Sequence, residues 1–133
     1  MFLLDPIHII NETHAQVIYF PNLFLHEESA KLYADLLSEV DFQPDTVNIF
    51  GKSITTQRLF AWHGDAAFDY AYSGKSRFAV PWTPILLKIK AAVEQVAKVE
   101  FNCCLLNYYA DGSQGMSWHS DDEKVMQENG TIA

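Results

Sequence analysis

Apolar residues recur along this chain with two different periods, which predict an alternation of strands and helices. A short apolar run over residues 16–20 predicts a strand, and Pro21 ends it. Apolar positions spaced three or four residues apart predict amphipathic helices over residues 26–40 and 81–99. Each predicted helix therefore has one apolar face and one polar face.

The other apolar segments predict strands and turns. Residues 46–62 predict a β-hairpin whose turn lies at residues 51–53. Residues 70–74 predict a strand stub or a loop, and residues 101–109 predict a buried strand that leads into a glycine-containing loop. The last residues, 131–133, predict the start of another strand. No repeat, linker or low-complexity segment interrupts these elements, so the sequence predicts a single domain.

The composition is that of a globular protein, since 49% of the 133 residues are hydrophobic and 20% are charged. No uncharged apolar run approaches the roughly 18 residues of a membrane span, and the opening segment lacks the basic stretch of a secretory signal. The two cysteines, Cys103 and Cys104, are neighbours and cannot crosslink distant segments. We therefore expect a monomer without membrane contact, located in the cytoplasm, or in the nucleus if the source is eukaryotic.

The net charge of −8 is unevenly distributed along the chain, which changes what it implies about partners. Residues 47–98 contain seven of the nine Lys and Arg residues against three acidic residues, whereas both flanking segments are acidic. A polyanion that met only this middle segment would meet a positive surface. The alternative explanation for these Lys and Arg residues is that they are scattered over the surface and contact only solvent.

Two His-x-Asp sequences are the candidate metal-binding motifs, His63-Gly64-Asp65 and His119-Ser120-Asp121. This spacing places an imidazole and a carboxylate on one side of an extended chain, which supplies two ligands of the 2-His-1-carboxylate triad of non-haem Fe(II) oxygenases. The second pair follows a glycine-containing loop after a buried strand, so it is the expected iron site. The first pair is expected to be structural or to face the substrate. The cysteines lack zinc-ligand spacing, and no phosphate-binding loop is present.

Six segments share their order and spacing with one enzyme family. They are IFGK at 49–52 with Arg58, WHGD at 62–65, YAYSG at 70–74, PW at 81–82, FNCCLLNYYADG at 101–112 and WHSDDE at 118–123. Together they resemble the AlkB family of Fe(II)- and 2-oxoglutarate-dependent dioxygenases, which repair alkylated nucleic acid. The IFGK segment with Arg58 resembles the finger hairpin of the branch that acts on duplex DNA.

The resemblance implies an α+β fold, the double-stranded β-helix or jelly-roll of these dioxygenases, with N-terminal helices outside it. Within one domain over residues 1–133, it implies an N-terminal extension and helix over 1–46 and a nucleotide-recognition lid with the finger hairpin over 47–80. A helix and the first β-helix strands follow over 81–133. The family's distal histidine and its downstream arginines have no counterpart after Asp121. We therefore expect an incomplete β-helix that does not demethylate DNA by itself. It would be a fragment, a site completed by another chain, or an inactive chain.

The resemblance also implies which residues hold the metal and the cosubstrate. His119 and Asp121 would bind Fe(II), and Asn107 and Tyr109 would hydrogen-bond 2-oxoglutarate. Glu123 would support the acidic turn beside the metal. The simpler alternative for Asn107 is a buried amide whose hydrogen bonds are satisfied.

The nucleic-acid contacts are assigned by the resemblance to the finger hairpin, the aromatic segment after it and the acidic turn. The residues are Phe50, Gly51, Lys52, Arg58, Tyr70, Ala71, Tyr72, Ser73 and Asp122. Phe50 would fill the gap that a flipped base leaves in the stack, and Tyr72 would stack on that base. The simpler alternatives are a half-buried hairpin tip for Phe50 and one face of a sheet for Tyr70 and Tyr72.

The function implied by the resemblance is oxidative demethylation of bases such as 1-methyladenine and 3-methylcytosine in double-stranded DNA, with Fe(II), O2 and 2-oxoglutarate. Two alternatives stay open: a related dioxygenase that acts on RNA or protein, and a DNA-binding remnant without turnover. The Phe50 hairpin favours duplex DNA over RNA or protein as the substrate of the enzyme, because a single strand or a peptide has no base stack to hold open.

Overall fold

A computed structural model describes residues 5–72, 75–119, 121 and 130–133, and in this part the chain forms seven strands and two helices. The strands pair in antiparallel ladders within three sheets. In chain order the elements are β1 (Ile7–Glu12), β2 (Ala15–Tyr19), α1 (His26–Glu39), β3 (Gln43–Ile49), β4 (Lys52–Gly64), β5 (Asp69–Tyr72), β6 (Lys75–Phe78), α2 (Pro84–Ala97) and β7 (Cys103–Tyr108).

The sheet β3-β4-β7 is the frame that positions the predicted site. Its central strand, β4, is 13 residues long. The first part of β4 pairs with β3, and its last part pairs with β7, from Leu59 opposite Tyr108 to Gly64 opposite Cys103. One continuous strand therefore connects the tip of the β3–β4 hairpin with the strand that carries Asn107.

A two-residue turn, Phe50-Gly51, joins β3 to β4, because Ile49 pairs with Lys52. Both turn residues have positive φ, 48° for Phe50 and 75° for Gly51, as two-residue hairpin turns of type I′ require. Glycine adopts this conformation readily, whereas a bulky aromatic residue rarely does. The predicted hairpin is confirmed, but its predicted turn at residues 51–53 is wrong because Lys52 already lies in β4.

The two helices and β7 share the hydrophobic core of the described residues. Leu32 of α1 packs with Ile85 and Leu86 of α2, and Leu106 of β7 lies against this cluster. Helix α1 confirms the prediction over 26–40. No helix among the described residues has the length and apolar content that a membrane span requires.

Helix α2 begins three residues later than the periodicity predicts, because Thr83 caps it. The Thr83 Oγ1 atom accepts a hydrogen bond from the backbone N–H of Leu86 at 3.4 Å, and Pro84 follows as the first helical residue. The helix ends at Lys98, which has a left-handed conformation with φ 59°. The Thr83 cap and the left-handed Lys98 therefore determine where α2 begins and ends, and the spacing of apolar residues does not predict either of them.

The structure contains two strands that the sequence did not predict, β1 and β6, and residues 131–133 do not form the strand that was predicted there. β1 pairs with β2, and β5 pairs with β6, so the segment at 70–74 that was predicted as a strand stub or a loop contributes β5 to a third antiparallel strand pair. Residues 130–133 form no strand, so the predicted strand over 131–133 is wrong in this structure. A strand requires a partner for its backbone groups, and an apolar pattern alone does not supply one.

Gly64 is a position where the close approach of chain segments requires glycine. A Cβ atom there would lie 2.9 Å from Cδ2 of Phe68 and 3.1 Å from the carbonyl oxygen of Asn102. We expect Gly64→Ala to lower the free energy of unfolding by about 1–3 kcal/mol in urea denaturation, because the backbone oxygen cannot move aside cheaply. Gly112→Ala is the matched control, since a Cβ there meets nothing within 4 Å. Equal stability of both variants would contradict the close packing at Gly64.

Candidate active site

The predicted iron ligands His119 and Asp121 lie side by side. Nε2 of His119 is 3.4 Å from Oδ1 of Asp121, and both side chains are about half exposed. The other ring nitrogen, Nδ1, is 2.9 Å from the carbonyl oxygen of Ser117. A carbonyl oxygen only accepts hydrogen bonds, so Nδ1 carries a proton and donates it to Ser117, and Nε2 is the ring nitrogen that faces the carboxylate. An imidazole nitrogen and a carboxylate oxygen placed this close together can both contact one metal ion.

This donor set fits two of the three protein ligands of an Fe(II) site. Imidazole nitrogen and carboxylate oxygen are the ligand types of the facial triad. Donation from Nδ1–H to a carbonyl is the support that metal-bound histidines commonly have. Within the described ranges no three His, Cys, Asp or Glu side chains gather around one point. Iron binding by His119 and Asp121 therefore stays a prediction that their geometry supports.

Side-chain hydrogen bonds fix the loop that connects β7 with the metal pair. The backbone N–H of Ser113 donates to Oδ1 of Asp111 at 2.7 Å, and the backbone N–H of Ala110 donates to Oε1 of Gln114 at 3.0 Å. The Ser113 side chain and the Ser113 backbone N–H both hold the pKa of the Asp111 carboxyl below its ordinary value. Asp111 is therefore ionised near neutral pH, which favours this turn.

The adjacent cysteines are poor candidates for metal binding. Burial raises the pKa of the Cys103 thiol, and the charge of Asp65 raises it further. Burial also raises the pKa of the Cys104 thiol. Within the described part of the chain, neither thiol belongs to a group of three or more His, Cys, Asp or Glu side chains that could hold a metal ion.

Asn107 lies on β7 opposite Phe60 of β4, and Tyr109 is the first residue after this strand. The Asn107 residue is exposed, and its Oδ1 atom accepts a hydrogen bond from the guanidinium of Arg58. It is therefore not the buried amide of the simpler alternative. The predicted contacts of Asn107 and Tyr109 with 2-oxoglutarate stay predictions.

A buried carboxylate, Asp45, holds two arginines together behind this site. Asp45 is 4% exposed, and its Oδ2 atom lies 3.3 Å from Nη2 of Arg58. Arg77 pairs with Oδ1 of the same carboxylate, donates to the carbonyl oxygen of Thr46 at 3.3 Å and lies over the ring of Phe60. Two guanidinium groups on one carboxylate leave the cluster with a net positive charge.

Sequence reasoning missed Asp45 and Arg77 as parts of this cluster. In the sequence, Arg77 is one of seven cations in the basic segment 47–98, and Asp45 is one acid of the flanking segment before it. They are 32 residues apart in the chain, and neither belongs to a motif that would pair them. Asp45 lies in β3 and Arg77 in β6, which belong to different sheets, so only the tertiary packing brings them together.

The finger hairpin, which we define as residues 46–55, presents Phe50 at its tip. The Phe50 side chain is 101% exposed, so it is not the half-buried hairpin residue of the simpler alternative. Gly51 completes the turn, and Lys52 is exposed as the first residue of β4. An exposed ring, a flexible glycine and a cation thus occupy three consecutive positions.

The other predicted nucleic-acid contacts are described only in part. Tyr70, Ala71 and Tyr72 lie in β5, where Tyr70 pairs with Arg77 of β6. Ser73, Asp122 and Glu123 lie outside the described residues. Their predicted roles, like those of the three β5 residues, stay predictions.

The first His-x-Asp pair, His63-Gly64-Asp65, has structural contacts. This agrees with one of the two expectations for it, a structural role. His63 is 4% exposed, and its Nδ1 atom lies 2.8 Å from the carbonyl oxygen of Pro81. Oδ1 of Asp65 accepts a hydrogen bond of 2.7 Å from Nε1 of Trp82. The WHGD segment therefore ties the end of β4 to the entrance of α2.

Comparison with known proteins agrees with these motifs. The sequence matches the family model of the 2OG-Fe(II) oxygenase superfamily over residues 16–133. It is 33% identical over 114 residues to DNA oxidative demethylase ALKBH2 of Mus musculus, which covers 84% of this chain and 48% of that protein. The same protein of Homo sapiens is also 33% identical over 114 residues, with 84% of this chain and 44% of that protein covered.

A second group of relatives has a shorter match. Alpha-ketoglutarate-dependent dioxygenase alkB homolog 3 of Mus musculus is 39% identical over 77 residues, which covers 57% of this chain and 26% of that protein. The chain spans about half the length of the ALKBH2 relatives and less of this one.

Proposed function

This chain belongs to the AlkB family of Fe(II)- and 2-oxoglutarate-dependent dioxygenases, within the 2OG-Fe(II) oxygenase superfamily, and from that premise we propose its function. The protein that contains this chain removes methyl groups from alkylated bases in double-stranded DNA, such as 1-methyladenine and 3-methylcytosine, whereas these 133 residues by themselves do not. Two relatives that are named DNA oxidative demethylases support DNA as the substrate.

The tip of the finger hairpin is the observation that carries this proposal. Phe50 exposes its whole ring and has a positive φ, a conformation that costs a non-glycine residue of order 1–3 kcal/mol. Folding alone gains nothing from a strained aromatic residue in water, so the tip points to a binding role. An apolar wedge between base steps is a role that such a ring can perform.

The wedge has a physical task in this reaction. A methyl group on a ring nitrogen lies inside the duplex, so the base must leave the stack before the methyl group can be oxidised. Extrusion costs a few kcal/mol, and Phe50 offsets part of this cost by filling the vacated space. Lys52 beside it binds phosphate, and Tyr72 stacks on the extruded base with Ser73 beside it.

The remaining residues hold the reactants. His119 and Asp121 hold Fe(II), and the donor geometry of this pair supports that role. With 2-oxoglutarate and O2, bound iron supplies the oxidation by which the methyl group leaves as formaldehyde. Asn107 and Tyr109 hydrogen-bond the cosubstrate, and Asp122 faces the damaged base with Glu123 in support.

The sheet β3-β4-β7 is part of a double-stranded β-helix in this proposal. Its antiparallel order and the helices packed against β7 agree with a jelly-roll of the superfamily. Residues 47–80 form the nucleotide-recognition lid, which contains the finger hairpin from residue 47 onward and the paired strands β5 and β6. Residues 81–133 contain α2, β7 and the metal pair.

A panel of substrates tests the proposed function. The full-length gene product is incubated with Fe(II), 2-oxoglutarate and one of three substrates in equal amounts. The substrates are methylated duplex DNA, methylated single-stranded RNA and a methylated peptide. We expect formaldehyde release to be fastest with duplex DNA and to require 2-oxoglutarate. Faster release from RNA or peptide would contradict the proposal, and so would binding of DNA without any release.

A further inference from the structure

We propose that Arg58 is a positioning residue for the cosubstrate: it fixes the amide of Asn107 so that Nδ2 donates its hydrogen bonds to a carboxylate of 2-oxoglutarate. This inference rests on the proposed function, in which Asn107 binds 2-oxoglutarate. It gives Arg58 a role different from the nucleic-acid contact that the family resemblance implies.

An irregularity in the β3–β4 pairing directs Arg58 inward. Pro44 pairs with Leu59, and Thr46 pairs with Thr55, so the single residue Asp45 faces three residues of β4. Extra residues of this kind bend a strand and redirect a side chain. Oγ1 of Thr56 donates to the carbonyl oxygen of Arg58 at 3.0 Å, which closes the irregular segment locally.

Asp45 then fixes the guanidinium on one side. The Arg58 side chain is 14% exposed, and its Nη2 atom pairs with Oδ2 of Asp45. Its Nη1 atom donates to Oδ1 of Asn107. A guanidinium is a planar group with donors in a rigid fork, so an anchor on one nitrogen orients the other. Little of this group is left exposed for a phosphate.

The hydrogen-bonding capacity of each group determines which way the Asn107 amide points. A guanidinium has donors and no acceptor, so the atom that faces it must be the amide oxygen. The two N–H donors of Nδ2 then point elsewhere, and within the described part of the chain they donate to no protein acceptor. Because Asn107 is exposed, these donors are available to an anionic ligand.

The same arrangement connects the finger hairpin with the cosubstrate site. Arg58 and Asp45 lie at the base of that hairpin, next to its last paired positions, Thr46 and Thr55. Asn107 lies on the neighbouring strand β7. A displacement of the hairpin base would therefore reach the residue that orients the cosubstrate.

Binding of 2-oxoglutarate in the presence of Mn(II) tests the inference without turnover. In the protein as its gene encodes it, we expect Arg58→Met to weaken 2-oxoglutarate binding about 5- to 10-fold in titration calorimetry, the value of one lost hydrogen bond to a positioned group. Arg77→Met is the matched control, because it removes the other cation from Asp45. It should lower stability to a similar extent and leave 2-oxoglutarate affinity within about twofold, a change that corresponds to less than 0.5 kcal/mol.

A second variant covers the case in which Arg58→Met does not fold. Asn107→Asp keeps an oxygen toward Arg58 and strengthens that contact by a charge, but it replaces the Nδ2 donors with an acceptor. We expect its thermal unfolding temperature to stay equal or rise while 2-oxoglutarate binding falls at least about 10-fold, because two carboxylates repel each other. A less stable Asn107→Asp protein would contradict the amide orientation.

The other outcomes are equally decisive. Unchanged 2-oxoglutarate affinity in Arg58→Met, with weaker duplex binding and a smaller salt dependence, would overturn the inference and favour the phosphate contact. Equal losses of 2-oxoglutarate affinity in the Arg58 and Arg77 variants would contradict the inference, because they would show that Arg58 affects binding only by stabilising the fold. If the parent protein itself bound no 2-oxoglutarate, the proposed function and the inference would both be contradicted. If the parent binds 2-oxoglutarate and Arg58→Met binds it equally well, only the inference is contradicted and the proposed function stands.

Discussion

Phe50→Asn is expected to stabilise the fold and to slow the repair of duplex DNA, two effects of opposite sign from one substitution. Asparagine tolerates a positive φ better than phenylalanine, so relief of strain should raise the free energy of unfolding by about 0.5–2 kcal/mol. Loss of the ring removes a group that stacks at the vacated base position, worth about 1–3 kcal/mol. Repair of a methylated duplex should therefore fall about 5- to 150-fold.

The comparison substrate is the single strand of the same sequence, which has no stack to hold open. We expect its repair rate to change little in Phe50→Asn. Phe78→Asn is the matched control, because Phe78 is also an exposed aromatic residue, 63% exposed at the end of β6. Equal losses on duplex and single strand would show that Phe50 is not a wedge, and would favour a substrate other than duplex DNA.

His119→Ala is expected to abolish turnover and to weaken Mn(II) binding. Removal of a partner outside the metal's own ligands already costs about 10- to 100-fold in affinity or activity, so loss of a ligand should exceed that range. The fold should tolerate the change, because the side chain is 46% exposed. Anaerobic Mn(II) titration and the rate of formaldehyde release measure the two effects independently.

His14 provides a matched control for this variant. Its Nε2 atom lies 3.5 Å from Oε2 of Glu12, so His14 and Glu12 form another exposed imidazole–carboxylate pair, on the β1–β2 hairpin. We expect His14→Ala to bind Mn(II) and to turn over as the parent does. Mn(II) binding that is unchanged in His119→Ala would refute the assignment of the iron ligand.

The periodic elements were predictable because their causes are local. Helix α1 and the β3–β4 hairpin follow from apolar spacing, and a glycine marks the turn. The register of that turn could not be read from the sequence. A sequence that contains Phe-Gly-Lys-Ser favours a turn on the glycine and the polar residues, and only the pairing of Ile49 with Lys52 moves Phe50 into the turn.

The candidate site was predictable where a short motif carries the chemistry, as in His119-Ser120-Asp121. The Asp45–Arg58–Asn107 contacts were not, because they connect three strands over separations of 13 and 49 residues. A motif identifies Arg58 as a cation but does not reveal the pairing irregularity that turns it toward Asp45. Positioning contacts of this kind depend on topology, which a pattern along one chain does not determine.

The mass of a methylated oligonucleotide duplex, before and after incubation with the protein as its gene encodes it, tests the central claim most directly. The duplex contains a single 1-methyladenine, and parallel reactions with Fe(II) and O2 contain or lack 2-oxoglutarate. We expect the methylated strand to lose the mass of one methylene group only when 2-oxoglutarate is present, while the complementary strand is unchanged. An unchanged mass in the complete reaction, from protein that binds both Mn(II) and 2-oxoglutarate, would contradict the assignment of this chain to DNA demethylation.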